Sequence, residues 1–115
     1  SCTSREFFDS CLRALAPQGL LLVNTASMPR ALAGAEIATL AGALDGDISR
    51  AFIVADPAAA RGRRRGNLVL VARQDPFTVG ELEEVERAVR RLPLPVRTWS
   101  LDDAALPRPE GGRAR

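Results

Sequence analysis

The chain has 115 residues, a net charge of +2, and 46% hydrophobic and 26% charged residues. This composition is ordinary for a globular domain, and the charge is too small to indicate a polyanionic partner. The chain has no histidine, and all 16 basic residues are arginine. Ser–His and Cys–His nucleophile pairs, a Schiff-base lysine and a P-loop lysine are therefore excluded within it.

The first third of the sequence predicts a helix followed by a strand. Residues 3–6 (TSRE) match a capping box that Thr3 would begin. Cys11 lies on the apolar face of the helix, so we expect it to be buried and reduced, with a disulfide to Cys2 as the alternative. After the Pro-x-Gly break at Pro17, the run from Leu20 to Val23 is wholly apolar. A strand that is apolar on both faces indicates the interior of a parallel sheet.

The middle of the sequence predicts a helix and two strands. Pro29 suits the first position of the helix, which runs to about Leu44. The segments from Ser49 to Ala55 and from Asn67 to Arg73 have the apolar, β-branched composition of strands. Because no helix is predicted between these two strands, we expect them to pair antiparallel.

The last part predicts a helix and a weak edge strand. Thr78 and Glu81 form a second capping box. We expect the helix to bury one face, made of Val79, Leu82, Val85, Val89 and Leu92. Residues 96–101 carry Trp99, which we expect to pack against this helix. The predicted order is α–β–α–β–β–α, followed by the weak strand and a flexible tail over residues 102–115.

Three segments carry a resemblance to a known family. They are TSREFF…LRALAPQGLLLVNTA, ADPAAARGRRRGN and NLVLVAR, within residues 3–76. They resemble the C-terminal half of bacterial spermidine synthase-like proteins, which have a class I methyltransferase-type Rossmann fold. The resemblance implies an α/β protein with a partial Rossmann-like sheet and a C-terminal antiparallel hairpin. Residues 1–101 would be the C-terminal part of that domain, in a cytoplasmic protein.

The same resemblance bears on cofactors. In the family, S-adenosylmethionine or its decarboxylated form binds at a glycine-rich loop after the first strand, and the catalytic Asp follows the fourth strand. This chain has no GxGxG motif and no counterpart of those segments. We therefore expect no cofactor and no aminopropyl or methyl transfer for this chain alone, and one of these cofactors for a complete parent. Asn24 stands where polyamine-forming members carry Gln.

Two groups of residues are candidate sites. Asn24 and Thr25 follow the apolar strand, where ligands collect in open α/β sheets, so they would face a substrate or cofactor in a complete fold. The alternative is that they end the strand. A second group, made of Arg61, Arg63, Arg64 and Arg65, has the charge to contact an anion, with a solvated loop as the alternative. No aromatic residue is interleaved with these arginines, so we expect no nucleic-acid partner.

Neither a metal nor a membrane is indicated. Asp45, Asp47 and Asp56 lie beside Gly or Pro, where turn chemistry explains them, and we predict no metal site. No apolar run approaches the roughly 18 residues that a membrane helix needs.

Two functional hypotheses remain open. The chain is the C-terminal portion of a spermidine synthase-like protein, inactive alone, or a small self-associating α/β module whose Arg-rich loop contacts anions. In either case the strand from Leu20 to Val23 has one flank without a predicted neighbour. We expect that flank to bind the missing N-terminal half or a second copy, as in a dimer.

Overall fold

The computed structural model describes residues 4–25, 30–60 and 68–103. Its helices are α1 (Arg5–Ala14), α2 (Arg30–Ala43), α3 (Pro57–Ala60) and α4 (Val79–Arg90). Its strands are β1 (Leu21–Asn24), β2 (Ala51–Ala55), β3 (Leu68–Ala72) and β4 (Arg97–Trp99). A short 3-10 turn, Ile48–Arg50, leads into β2. Compared with the predicted order, the structure adds the one-turn helix α3 between β2 and β3.

Side-chain caps fix the first residues of two helices. Ser4, not Thr3, caps α1, because its Oγ accepts from the Phe7 amide at 3.1 Å. The second capping box is confirmed: the Glu81 amide donates to Thr78 Oγ1 at 3.1 Å, and the Thr78 amide donates to Glu81 Oε1 at 2.8 Å. Each cap satisfies amide groups that the first helical turn leaves without a partner.

The strands form one sheet in the order β1-β3-β2-β4, and every neighbouring pair is antiparallel. The antiparallel pairing predicted for β2 and β3 is therefore confirmed. The interior position expected for β1 is wrong for the part of the chain that is described. Among the described strands β1 bonds only to β3, so it lies at an edge, and its burial alternates. Leu22 is 63% exposed, since no described element covers that part of the sheet.

The two faces of the sheet are covered to different extents. On one face α1 and α2 enclose the main core, which includes Phe8, Leu12, Ile37, Leu40, Ile53 and Leu70. On the other face α4 packs over Phe52, Val71 and Phe77. Register places Leu22 on this second face, because Leu22 and Phe52 both oppose Val71. The second face is therefore covered over β2 and β3 and open over β1.

Val79, Leu92 and Cys11 are less buried than predicted. Val79 and Leu92 are 73% and 48% exposed, although both were expected to face inward along α4. Trp99 packs against the main core, and the Trp99 Nε1 donates to the Ala55 carbonyl at 3.1 Å. Cys11 is half-buried, with a free thiol, and Cys2 lies outside the described residues.

The end of α1 is tied to the end of β3. The Gln74 side-chain amide donates to the Leu12 carbonyl and, at 2.8 Å, to the Leu15 carbonyl. The Asp75 amide donates to the Pro17 carbonyl at 3.1 Å, just after the Pro-x-Gly break begins. These bonds fix α1 against the sheet and so set where β1 starts. In the described ranges, no helix has the length and apolar character required to cross a membrane.

Candidate functional site

The sheet brings the ends of three strands to one edge. β1 and β2 both run antiparallel to β3, so they run parallel to each other and end on the same side. Asn24 ends β1 and Thr25 follows it, Asp56 follows β2, and Leu68 begins β3. We call this group of residues the carboxyl edge. In open α/β sheets, ligands bind at the carboxyl ends of the strands.

Thr25 is held by the backbone of β3. It is 3% exposed, and both its amide (3.0 Å) and its Oγ1 (2.8 Å) donate to the Leu68 carbonyl. The hydroxyl proton is therefore used in a hydrogen bond that extends the β1–β3 pairing. This agrees with the alternative interpretation, in which Thr25 ends the strand. The hydroxyl oxygen keeps lone pairs that can accept a hydrogen bond.

Asn24 is the accessible member of the pair. It is exposed, lies opposite Val69 in the register, and shares a face of the sheet with Leu22. A primary amide group has two donor hydrogens and one acceptor oxygen. That Asn24 and Thr25 face a ligand stays a prediction.

The predicted Arg-rich site, Arg61 to Arg65, lies outside the described residues. Its nearest described neighbours in sequence are Ala60, the last residue of α3, and Leu68, the first residue of β3. Both are buried, and the Leu68 carbonyl is the acceptor for Thr25. The two described segments on either side of these arginines therefore end, at Ala60, and begin again, at Leu68, next to the carboxyl edge. Contact between these arginines and an anion stays a prediction.

The three aspartates take part in turns and caps. Asp45 and Gly46 have φ angles of 55° and 80°, the left-handed geometry that ends α2. Asp47 accepts from the Ser49 amide at 3.2 Å, and Asp56 from the Ala59 amide at 2.8 Å. Among the described residues, no group of three or more His, Cys, Asp or Glu side chains is placed to hold a metal ion.

An arginine that sequence reasoning missed lies at the opposite end of β3. Arg73 is 7% exposed; its Nε donates to the Asp75 carbonyl and its Nη2 to the Pro76 carbonyl, both at 2.9 Å. Nη2 also lies 2.6 Å from Glu81 Oε1, and the guanidinium carbon lies 4.1 Å from the Phe77 ring centre. The Arg73 hydrogen bond, followed by that of the Thr78 amide, lowers the pKa of Glu81.

The sequence offered little signal for this arginine. A charged residue at the end of an apolar strand ordinarily indicates a return to solvent, and Glu81 was already explained by the capping box. The carbonyls that Arg73 contacts are exposed only by the turn that follows it. The arrangement joins the end of β3 to the start of α4, and it is structural.

These observations define the class of protein. The described residues form a mixed α/β unit with a four-stranded antiparallel sheet, which is open along β1 and partly open on one face. The structure is similar to that of a probable spermidine synthase from Corynebacterium glutamicum, with a TM-score of 0.63 and 28% sequence identity. The match covers 88% of this chain and 36% of that one, so the chain spans about a third of its length.

The similarity supports a spermidine synthase-like fold. Comparison with protein-family models and with curated proteins finds no match. The resemblance inferred from the sequence therefore agrees with an independent comparison of structures.

Proposed function

We propose that this chain forms the C-terminal part of a spermidine synthase-like protein with a methyltransferase-type Rossmann fold. The observation that carries the proposal is the structural match, in which 88% of this chain corresponds to 36% of a longer probable spermidine synthase. The remainder of such a fold would come from residues joined to this chain or from a separate polypeptide. We also propose that the protein is bacterial and cytoplasmic.

The open edge of β1 is the surface that the rest of the fold would cover. β1 bonds to β3 on one side, so the amides and carbonyls on its other side can pair with a further strand. Leu20 and Leu22 are 49% and 63% exposed on the described chain. Burying a leucine side chain stabilises a fold by roughly 1.5–3 kcal/mol. A strand and helix that covered Leu20 and Leu22 would therefore stabilise the completed fold.

Asn24 is the residue that we propose to face a substrate or cofactor in the completed fold. It is exposed at the carboxyl edge, next to the open side of β1. At the carboxyl edge the described residues supply this exposed amide and no glycine-rich loop, so they do not fit a nucleoside cofactor by themselves. S-adenosylmethionine or its decarboxylated form would therefore be held mainly by the rest of the fold, and this chain alone would have no transferase activity.

A chimera tests the proposal. The matching segment of the Corynebacterium glutamicum protein is replaced by this chain, and folding and aminopropyl transfer from decarboxylated S-adenosylmethionine are measured. We expect a soluble, cooperatively folding chimera and no turnover by the 115-residue chain alone. An Asn24→Gln chimera asks whether the family's side chain at this position raises the activity.

The control is a chimera that carries Leu22→Arg. Leu22 would be buried by the rest of the fold, so we expect this variant to lose several degrees of melting temperature or to become insoluble. Failure of the unaltered chimera to fold, under conditions where the parent protein folds, would refute the assignment. Aminopropyl transfer by the isolated chain would refute the proposal that activity requires the rest of the fold.

The exposed edge also favours a second candidate function. A chain with an unpaired strand edge and exposed Leu20 and Leu22 can form a continuous sheet with a second copy. The alternative proposal is therefore a self-associating α/β module that contacts anions through the arginines between Arg61 and Arg65. Sedimentation velocity of the isolated chain tests the self-association.

A further inference from the structure

A groove lies between α4, the start of β2 and the turn after β4. Its volume is about 450 Å³, within the roughly 300–1,000 Å³ of small-molecule pockets. Because β4 runs antiparallel to β2, the turn after Trp99 lies beside the amino end of β2. The groove is therefore at the opposite end of the sheet from the carboxyl edge, and at the β4 side instead of the β1 side.

The wall of the groove is mainly apolar. The apolar residues that line it are Ile48, Ala51, Phe52, Val79, Leu82 and Trp99. Leu82 is half-buried, and Val79 is 73% exposed where the groove meets solvent. An apolar wall of this kind favours a ligand with an apolar body, because contact removes both surfaces from water.

The charged groups of the groove all have one sign. Three carboxylates line it, from Glu83, Glu86 and Asp103, and the described lining residues include no basic side chain. Glu86 is already engaged, since it accepts from Arg90 at 3.0 Å and from Thr98 Oγ1 at 3.3 Å. Within the described chain, Glu83 and Asp103 form no ion pair. A cation is therefore the charge that this groove complements.

We propose that this groove binds a small organic cation, an ammonium group attached to an aromatic or branched apolar body. The apolar body contacts Phe52 and Leu82, and the ammonium group lies between Glu83 and Asp103. This binding is separate from the function proposed above, because none of its residues belongs to the carboxyl edge. The two proposals can therefore fail independently.

Phenethylammonium is the probe, with 2-phenylethanol and 3-phenylpropionate as its neutral and anionic counterparts. Calorimetric titration of the chain with each probe measures the binding. We expect saturable binding of phenethylammonium that is about tenfold tighter than that of the alcohol and weakens with salt, and no binding of the carboxylate. Equal affinity for the amine and the alcohol would refute the charge recognition.

The matched variants are the pair Glu83→Gln with Asp103→Asn, against Glu84→Gln as the control. Glu84 is exposed on the same helix and does not line the groove. We expect the pair to weaken phenethylammonium binding about tenfold and the control to leave it within twofold. Circular dichroism establishes that each variant is folded. Equal effects of the pair and the control would overturn the proposal.

A second measurement locates the ligand. In amide spectra of ¹⁵N-labelled chain, we expect phenethylammonium to shift the signals of Leu82, Glu83 and Asp103. The signals of Asn24 and Thr25 would stay unchanged. Shifts confined to the carboxyl edge, or no shifts at saturating probe, would refute the assignment of the groove.

Discussion

The guanidinium of Arg73 lies 2.6 Å from the carboxylate of Glu81, and this contact joins the end of β3 to the first turn of α4. Arg73 is almost wholly buried, whereas Glu81 is partly exposed and also accepts from the Thr78 amide. One carboxylate therefore completes a helix cap and pairs with a buried cation. α4 covers the second face of the sheet, so the contact helps to position that cover.

Replacement of Arg73 should destabilise the fold. We expect Arg73→Ala to lower the free energy of unfolding by about 2–3 kcal/mol, because the Asp75 and Pro76 carbonyls lose charged donors. Arg73→Lys should recover only part of this loss, since an ammonium group cannot reproduce the planar fork. Denaturant unfolding measures the change. Arg90→Ala, which removes an exposed pair with Glu86, is the control; an equal loss there would contradict the prediction.

The Glu81 pair should make stability depend on acid. Hydrogen bonds from Arg73 and from the Thr78 amide lower the pKa of Glu81 from its ordinary value of 4.5. The ionised carboxylate therefore stabilises the folded state at a pH above that ordinary value. This contribution is lost as the pH falls through the lowered, folded-state pKa.

The measurement is the difference in unfolding free energy between the native chain and Glu81→Gln as a function of pH. We expect the difference to be constant near neutral pH and to shrink once the pH falls below about 4.5. Glu84→Gln, on the exposed side of the same helix, should show no such decline. A difference for Glu81→Gln that is unchanged between about pH 3 and about pH 7 would rule out the linkage.

The hydroxyl of Thr25 should contribute to stability. It is buried and donates to the Leu68 carbonyl at 2.8 Å, so Thr25→Val should cost about 1 kcal/mol. The control is Thr39→Val, whose hydroxyl donates to the Ala35 carbonyl within α2 at 2.8 Å. Thr39 is only half-buried, so water can replace its bond and the control should be closer to neutral. Thermal unfolding separates the two variants, and equal melting temperatures would contradict the role assigned to Thr25.

The open edge of β1 should cause the isolated chain to associate. We expect sedimentation velocity at micromolar concentration to show dimers or larger species, because Leu22 and the unpaired edge are exposed. Leu22→Lys should shift the chain toward monomer. Val79→Lys is the control, since Val79 is 73% exposed on α4, away from β1. A native chain that sediments as a stable monomer would count against the edge as an interaction surface.

Local chemistry was enough to predict most of the elements. Thr78 and Glu81 fixed the start of α4, because a capping box depends only on residues three apart. Apolar, β-branched composition located β3, and the structure places it at Leu68–Ala72. The antiparallel pairing of β2 and β3 also followed from the sequence, since no crossover helix was predicted between them.

The position of β1 and the burial of Arg73 were decided by the tertiary structure. An apolar run such as Leu20 to Val23 has the same sequence whether its neighbours cover one face or two. Only the strand order shows that β3 pairs with it and that Leu22 is left exposed. Arg73 is buried because a turn brings two carbonyls, a ring and Glu81 around it. Such contacts depend on how distant segments meet, and the spacing of residues along the chain carries no record of them.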